Sequence, residues 1–101
     1  MIVVNVTMEL GEENIAALRD ALSEMEAASR AEEGCDDFTY SVELNNPDVI
    51  RITERWESMD ALAAHFKAPH MAKVQAATQQ HPPKSSYAYF YEATEVAPPG
   101  R

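Results

Sequence analysis

The sequence has little cysteine and no long apolar run, and each shortage excludes a class of protein. Its single cysteine, Cys35, cannot form an intramolecular disulfide or a structural metal site built on cysteines, which predicts a cytoplasmic protein. No stretch approaches the roughly 18 consecutive apolar residues of a membrane-spanning helix, and Asn5 and Thr7 interrupt the apolar segment near the N-terminus. We therefore expect neither a membrane association nor a secretory signal.

Basic residues are also scarce. Eight Lys and Arg residues stand against 17 Asp and Glu residues, which gives a formal net charge of −9. That charge would repel the phosphate backbone of nucleic acid and an anionic membrane surface, so neither is an expected partner. A substrate with several phosphates is disfavoured for the same reason, although a local cluster of positive charge could override the global sign.

The length of the chain predicts one domain, and the apolar pattern predicts the order of its helices and strands. A chain of 101 residues is the size of a single domain, which we place at residues 1–96, followed by a flexible tail at 97–101. Strand alternation, helical spacing and turn residues then divide the domain. The predicted order, β-α-β-β-α-β with an additional helical segment, is the split βαβ pattern of a ferredoxin-like α+β fold. The predicted strands are 2–8, 38–44, 49–56 and 87–96, and the helices are 12–31, 58–68 and 69–79.

Two of the predicted strands carry apolar residues on both faces. Two helices can cover only one face of the sheet, and an exposed apolar face usually marks an interface. We therefore predict a homodimer in which two antiparallel sheets pack face to face as a closed barrel. The residues concerned are Ile2, Val4 and Val6 opposite Val3, and Tyr87, Tyr89 and Tyr91 opposite Ala88 and Phe90.

Three motifs stand in a characteristic order along the chain. The first is Glu32-Glu33-Gly34-Cys35 with Phe38 and Tyr40 downstream, the second is Glu54-Arg55-Trp56-Glu57-Ser58, and the third runs from Ala61-Leu62-Ala63-Ala64-His65 to Pro69-His70-Met71. In this order and spacing they resemble the antibiotic biosynthesis monooxygenase superfamily, and its quinol monooxygenase-like members in particular. The resemblance implies a dimeric α/β barrel, with a pocket between helices and sheet in each subunit and no cofactor.

The resemblance also implies candidate catalytic residues. Oxygenation without a cofactor uses an electron-rich aromatic that reacts with O₂ once deprotonated, so the protein must supply a base, an anion stabiliser and a dry pocket. His65 is the candidate base, because its unperturbed pKa of about 6.5 lies near working pH; the alternative is a histidine that only caps a helix or bonds nearby backbone. Asn5 is the candidate stabiliser, matching the asparagine that many family members carry on strand one; the alternative is an amide that satisfies a neighbouring strand or turn. We expect both side chains on the helix-covered face.

Four further residues are candidates for substrate binding: Trp56, Phe66, His70 and Tyr40. Trp56 offers a flat face to an aromatic substrate, but a lone tryptophan is more often part of a core or an interface. His70 could line the pocket or cap a helix. The three tyrosines of the last strand fit a dimer seam better than a pocket wall.

No metal or haem is predicted. The histidines have no carboxylate at a tight helical spacing such as His-Glu-x-x-His provides, and the five-residue separation of His65 and His70 puts them on different helical faces. Haem-degrading members of the superfamily carry a tryptophan and a histidine ligand where this chain has His65 and, nearby, Gln75. Cys35 is better interpreted as a small buried residue at a corner than as a nucleophile, since no histidine is adjacent to it.

The leading interpretation is therefore a cofactor-independent monooxygenase that oxidises a quinol or polyphenolic aromatic with O₂. One alternative is an isomerase or lyase that uses the same pocket for proton transfer on a small carbonyl compound. The other is a dimer that binds a ligand without catalysis.

Overall fold

Four strands and three helices make up the fold, in the order predicted for a ferredoxin-like α+β domain. The computed structural model describes residues 1–100. The additional helical segment is a separate helix, so the full order is βαββααβ. The elements are β1 (Ile2–Glu9), α1 (Glu12–Arg30), β2 (Cys35–Glu43), β3 (Asn46–Trp56), α2 (Met59–Phe66), α3 (Pro69–Gln80) and β4 (Ser85–Glu92).

The strands form one antiparallel sheet in the order β2-β3-β1-β4. Val4 of β1 pairs with Glu54 of β3 on one side and with Phe90 of β4 on the other. β1 and β3 are therefore the central strands, and their alternate side chains point to opposite faces of the sheet. One face packs on the helices and forms the hydrophobic core.

Helix α1 covers this face, as its apolar spacing predicts. Ile15, Leu18, Leu22 and Met25 recur every three or four residues and are all buried, because residues at this spacing share one side of a helix. Acidic residues in the first turn and Arg30 in the last turn complement the helix dipole. The predicted helix at 12–31 is confirmed to within one residue.

Two short helices follow β3 and carry the histidines of interest. The Ser58 side chain caps α2 by accepting a hydrogen bond from the backbone N–H of Ala61 at 3.2 Å. Helix α2 ends at Phe66, and Pro69 begins α3 in the first helical turn, where proline is well tolerated. His65 and His70 therefore lie on different helices, and the direction of each ring is set by the turn between them.

The β2–β3 hairpin is tighter than its sequence predicts. Strand β2 begins at Cys35, β3 begins at Asn46, and Glu43 pairs directly with Asn46. Pro47 therefore lies inside β3 and not in a turn. The pairing of β1 with β3 stops at Glu9↔Val49, so the missing N–H of Pro47 removes no hydrogen bond to β1.

The last strand is shorter at its C-terminal end than the predicted 87–96. It ends at Glu92, the partner of Ile2, and the backbone pairing extends past it only to Ala93, whose N–H donates to the carbonyl of Met1 at 2.9 Å, because the paired segment stops there. Residues 93–98 have no regular secondary structure. The predicted tail at 97–101 includes Arg101, which lies outside the described residues.

The sheet face away from the helices is less apolar than the sequence argument assumed. The central strands present polar side chains on it, including Thr7, Arg51 and Thr53. The apolar surface is concentrated along β4, whose three tyrosines are each more than half exposed. The homodimer stays a prediction, and this face offers it an aromatic edge beside polar central strands.

Candidate active site

A cavity of about 540 Å³ lies between the helices and the sheet. Its wall is mostly apolar and comes from every element of the fold. The cavity is the size of a small-molecule binding site, and such sites are lined mostly by apolar side chains with a few polar groups. The lining includes Val4, Val6, Met8, Leu18, Leu22, Met25, Phe38, Ile50, Ile52, Met71, Val74, Ala88 and Phe90.

The ionisable side chains of this wall are confined to Glu54, His65 and Tyr40. Among the lining residues there is no lysine and no arginine. A charged phosphate inside the cavity would therefore meet no cationic side chain. The geometry favours a largely apolar ligand with one polar group directed at these three residues.

His65 is held at the wall by its packing and by one carboxylate. The side chain is 1% exposed, and its ring packs 4.6 Å from the Trp56 ring and 5.4 Å from the Phe38 ring, between centroids. The Nδ1 atom lies 2.6 Å from Oε2 of Glu32, in the loop between α1 and β2. A proton on Nδ1 donates to this carboxylate, so the lone pair lies on Nε2, as a general base requires.

Glu54 is the nearest titratable neighbour of that lone pair and was missed as a site residue from the sequence. Its Oε1 lies 4.0 Å from Nε2 of His65 and accepts a hydrogen bond from Nε1–H of Trp56 at 3.0 Å. Burial raises the pKa of the Glu54 carboxyl, and the charge of Glu32 adds to the rise, while the Trp56 hydrogen bond and His65 lower it. A buried carboxyl with a raised pKa can act as a general acid.

The sequence did contain a signal for Glu54. Ile50, Ile52 and Trp56 alternate on the buried side of β3, and Glu54 occupies the same period. Burying a glutamate on the apolar side of a central strand destabilises the fold unless the carboxyl has hydrogen-bond or charge partners. It is therefore a site candidate on burial grounds alone.

Tyr40 contributes a phenol that stays protonated. Burial raises the pKa of its hydroxyl well above the ordinary value of 10.0, and the charges of Glu54 and Glu26 raise it further. The side chain lines the cavity, which agrees with its selection as a binding residue. In this environment Tyr40 can donate a hydrogen bond and cannot serve as a base.

Of the predicted binding residues Phe66 and Trp56, Phe66 lines the cavity and Trp56 does not. Trp56 is fully buried and does not line the cavity; it supports His65 and Glu54 from behind, so its predicted contact with substrate is not what the structure shows. Phe66 lines the cavity and is 52% exposed, with its ring 6.4 Å from that of Phe90. These two phenylalanines flank the mouth of the cavity.

Asn5 does not share a face with His65, and this expectation is corrected. Its neighbours Val4 and Val6 line the cavity, so the strand alternation turns Asn5 to the opposite face of the sheet. There the residue is exposed, between Thr53 of β3 and Tyr89 of β4. Asn5 cannot stabilise an anion in the cavity of its own chain.

His70 lies behind the cavity wall and does not line it. Its Nε2 contacts the same Glu32 oxygen as His65, at 2.7 Å, so the two histidines and the glutamate form a cluster. Cys35 begins β2 near this cluster and is partly buried. Burial and the charge of Glu32 raise the pKa of the thiol, which disfavours a thiolate nucleophile, as expected from the sequence.

Comparisons with known proteins agree with this fold. The antibiotic biosynthesis monooxygenase family model matches residues 1–77. The chain therefore belongs to the antibiotic biosynthesis monooxygenase family, and the resemblance drawn from its motifs is confirmed. A search of curated proteins finds no match.

Solved structures include several close in fold. A Deinococcus radiodurans protein, provisionally named an antibiotic biosynthesis monooxygenase, is 28% identical and superposes with a TM-score of 0.88 over 97% of both chains. A Bacteroides thetaiotaomicron protein of unknown function, for which its name suggests oxidoreductase activity, is 29% identical with a TM-score of 0.81 over 91% of this chain and 96% of its own. Rv0793 from Mycobacterium tuberculosis, 22% identical with a TM-score of 0.83 over 96% of this chain and 98% of its own, supports the fold. Among residues 1–100, no helix is both long and apolar enough to cross a membrane.

Proposed function

We propose that this protein is a cofactor-independent monooxygenase that oxidises a quinol or polyphenolic aromatic with O₂. The observation that carries the proposal is an apolar cavity whose ionisable groups are a histidine with a free Nε2, a carboxyl with a raised pKa and a neutral tyrosine. Membership of the family supports the reaction class. The substrate is an uncharged aromatic with a hydroxyl group, since the wall offers apolar contact and no cationic anchor.

The residues divide the work of proton transfer. His65 Nε2 takes the proton of the substrate hydroxyl, and Glu32 holds the ring in the required tautomer through Nδ1. The electron-rich anion then reduces O₂, and recombination forms a carbon–oxygen bond to a peroxide. Loss of water from the peroxide leaves a second carbonyl, so a ring C–H, the phenolic C–OH and O₂ become two C=O groups and H₂O without an external reductant.

Glu54 and Tyr40 act on the oxygen atoms in this scheme. Burial raises the pKa of the Glu54 carboxyl, and in its protonated form this carboxyl would donate the proton with which the hydroxide leaves as water. The Tyr40 hydroxyl donates a hydrogen bond to the developing anion, the role that the sequence assigned to Asn5. Dry apolar walls strengthen both interactions, because water does not compete with them.

Oxygen uptake with a panel of quinols and anthrones tests the proposal. We expect His65→Gln to lower the rate by about 10²- to 10⁴-fold, the usual contribution of a general base. His81→Gln is the matched control, because His81 ends α3 and does not line the cavity. Equal rates for the wild type and His65→Gln would remove His65 from the role of base.

A second function is supported by the same residues. A base and a carboxyl 4.0 Å apart can move a proton between two atoms of a small carbonyl compound, as an isomerase or lyase does, and this chemistry needs no oxidant. Turnover under nitrogen would favour it over the oxygenase. Tight binding of a ligand without turnover under either gas would favour a binding protein.

The homodimer is part of the proposal. The aromatic edge formed by Tyr87, Tyr89 and Tyr91 of β4 is more than half exposed in a single chain, and a second sheet packed face to face would cover it. Such packing leaves the cavity free, because the cavity lies on the other face of the sheet. It would also give Asn5 a contact with the partner subunit.

A further inference from the structure

Two histidines converge on a single carboxylate oxygen at the back of the cavity wall. Nδ1 of His65 and Nε2 of His70 lie 2.6 and 2.7 Å from Oε2 of Glu32, and the three donor atoms lie within 4.8 Å of one another. They come from three elements, α2, α3 and the α1–β2 loop. We propose that Glu32, His65 and His70 form a binding site for a divalent metal ion of the zinc type.

The donor set selects the kind of metal. Two imidazole nitrogens and one carboxylate oxygen are the protein ligands of many zinc sites, and the same set suits cobalt and nickel. Magnesium and calcium prefer oxygen donors throughout, so this cluster does not suit them. Three protein ligands leave a fourth tetrahedral position for water.

The site must open slightly to admit the ion. Zinc bonds of about 2.0–2.1 Å place neighbouring tetrahedral donors roughly 3.4 Å apart, so each contact to Glu32 has to lengthen by about 0.7 Å. Glu32 and His70 can make this movement, because their side chains are 16% and 18% exposed and lie in a loop and in a first helical turn. His65 is 1% exposed and stays fixed by its ring contacts. The same partial exposure gives the ion a way in from solvent.

The charge around the cluster favours a cation. In residues 1–100, Glu32 forms no ion pair with a lysine or arginine, and its side-chain hydrogen-bond partners are the two histidines. Glu33 follows it directly, and the chain carries a net charge of −9. A bound divalent ion would therefore neutralise the Glu32 carboxylate more strongly than its hydrogen bonds to the two histidines do.

The metal would sit on the Nδ1 side of His65, away from the cavity. A cation there leaves the ring proton on Nε2, so an occupied site and a base at His65 exclude each other; this consequence alone rests on the proposed function. Binding would also tie the α1–β2 loop to α2 and α3. Spacing along the chain did not predict the site, because the carboxylate is 33 residues from His65.

Cobalt and zinc titrations of chelator-treated protein test the site without any substrate. We expect one Co²⁺ per chain with visible d–d absorption of a four- or five-coordinate ion, displaced by Zn²⁺, and a higher melting temperature with either metal. Glu32→Gln and His70→Gln should each weaken metal binding about 10-fold or more. Mutation of a residue that only hydrogen-bonds to a metal ligand already lowers metal affinity about 10–100-fold.

Matched controls separate this site from general metal binding. Glu33→Gln makes the same chemical change at the exposed neighbour of Glu32, and His81→Gln makes it at the end of α3; both should bind as the wild type does. Circular dichroism melts of all four metal-free variants establish that they are folded. Absence of a Co²⁺ complex in the wild type, or equal losses in His70→Gln and His81→Gln, would overturn the proposal.

Discussion

Gly34 occupies the corner that brings Glu32 to His65, and replacing it with alanine is a severe test of this geometry. Its φ is +81°, and a Cβ atom at this position would lie 2.7 Å from Cβ of Ala61 on α2. Real Cβ atoms do not approach so closely, and Ala61 has no flexible side chain that could move aside. Either the corner or α2 would have to shift.

The expected cost has two parts. A non-glycine residue in the left-handed region costs about 1–2 kcal/mol, and an extra methyl group forced into a packed site costs about 1–3 kcal/mol. Gly34→Ala should therefore lower the free energy of unfolding by about 2–5 kcal/mol. That is a large share of the roughly 5–15 kcal/mol by which a domain is stable.

Gly11→Ala separates the two parts. Gly11 has a φ of +90°, but no atom lies within 4 Å of the position of its missing Cβ. This variant should lose the backbone part and a small capping contribution, without the steric part. Urea denaturation of both variants measures the difference, and Ala61→Gly in the Gly34→Ala background should recover part of the steric loss. If Ala61→Gly costs as much stability in the Gly34→Ala background as it does in the wild type, the close approach of the corner to α2 is wrong.

Two further predictions concern the buried carboxyl and the aromatic edge. Burial raises the pKa of Glu54 in the folded protein above its ordinary value of 4.5, so the stability that it contributes is complete below pH 4.5 and is lost as the pH rises through the folded pKa. In urea melts, the free energy of unfolding of the wild type should fall relative to that of Glu54→Gln as the pH is raised from 4.5 to 8. Parallel pH curves for the two proteins would contradict the raised pKa. Tyr89→Asp should dissociate the proposed homodimer in sedimentation experiments, while Leu44→Asp, at a hairpin residue that is 95% exposed, should not; an unchanged sedimentation coefficient in Tyr89→Asp would contradict packing through this face.

Most of the secondary structure was predictable because its causes are local. The spacing of Leu18, Leu22 and Met25 predicts α1, and Ser58 and Pro69 mark the starts of the two short helices. Errors are confined to the ends of elements, and the largest are at the ends of strands. A strand ends where its partner ends, as Glu92 does opposite Ile2, and the partner is not visible in the local pattern.

The candidate site was only partly predictable. His65 was selected from its residue type and from the family motifs, and it does line the cavity. Asn5 was placed there by its match to the asparagine that many family members carry on strand one, against the alternation of its own strand. A shift of one residue moves a side chain to the other face of a sheet. The face on which a strand residue lies therefore has to be taken from the alternation along the strand, and a match to a family residue does not determine it.

The surface of the predicted homodimer was also only partly predictable from the sequence. The apolar residues of β4 were visible in the sequence, but the polar character of the neighbouring central strands on that face follows from the register of Thr7 with Arg51 and of Asn5 with Thr53. Register is a property of paired strands. The sequence alone therefore overstated how apolar the uncovered face is.

The sequence by itself determined the family, the order of the elements and the net negative charge, because these follow from composition, periodicity and motif order. The tertiary structure decided which titratable groups meet. Glu32, Glu54 and His65 come from a loop, a strand and a helix, and their distances of 2.6 and 4.0 Å depend on the Gly34 corner and on sheet register. Contacts between residues far apart in the chain are set by packing, which no local pattern of residues encodes.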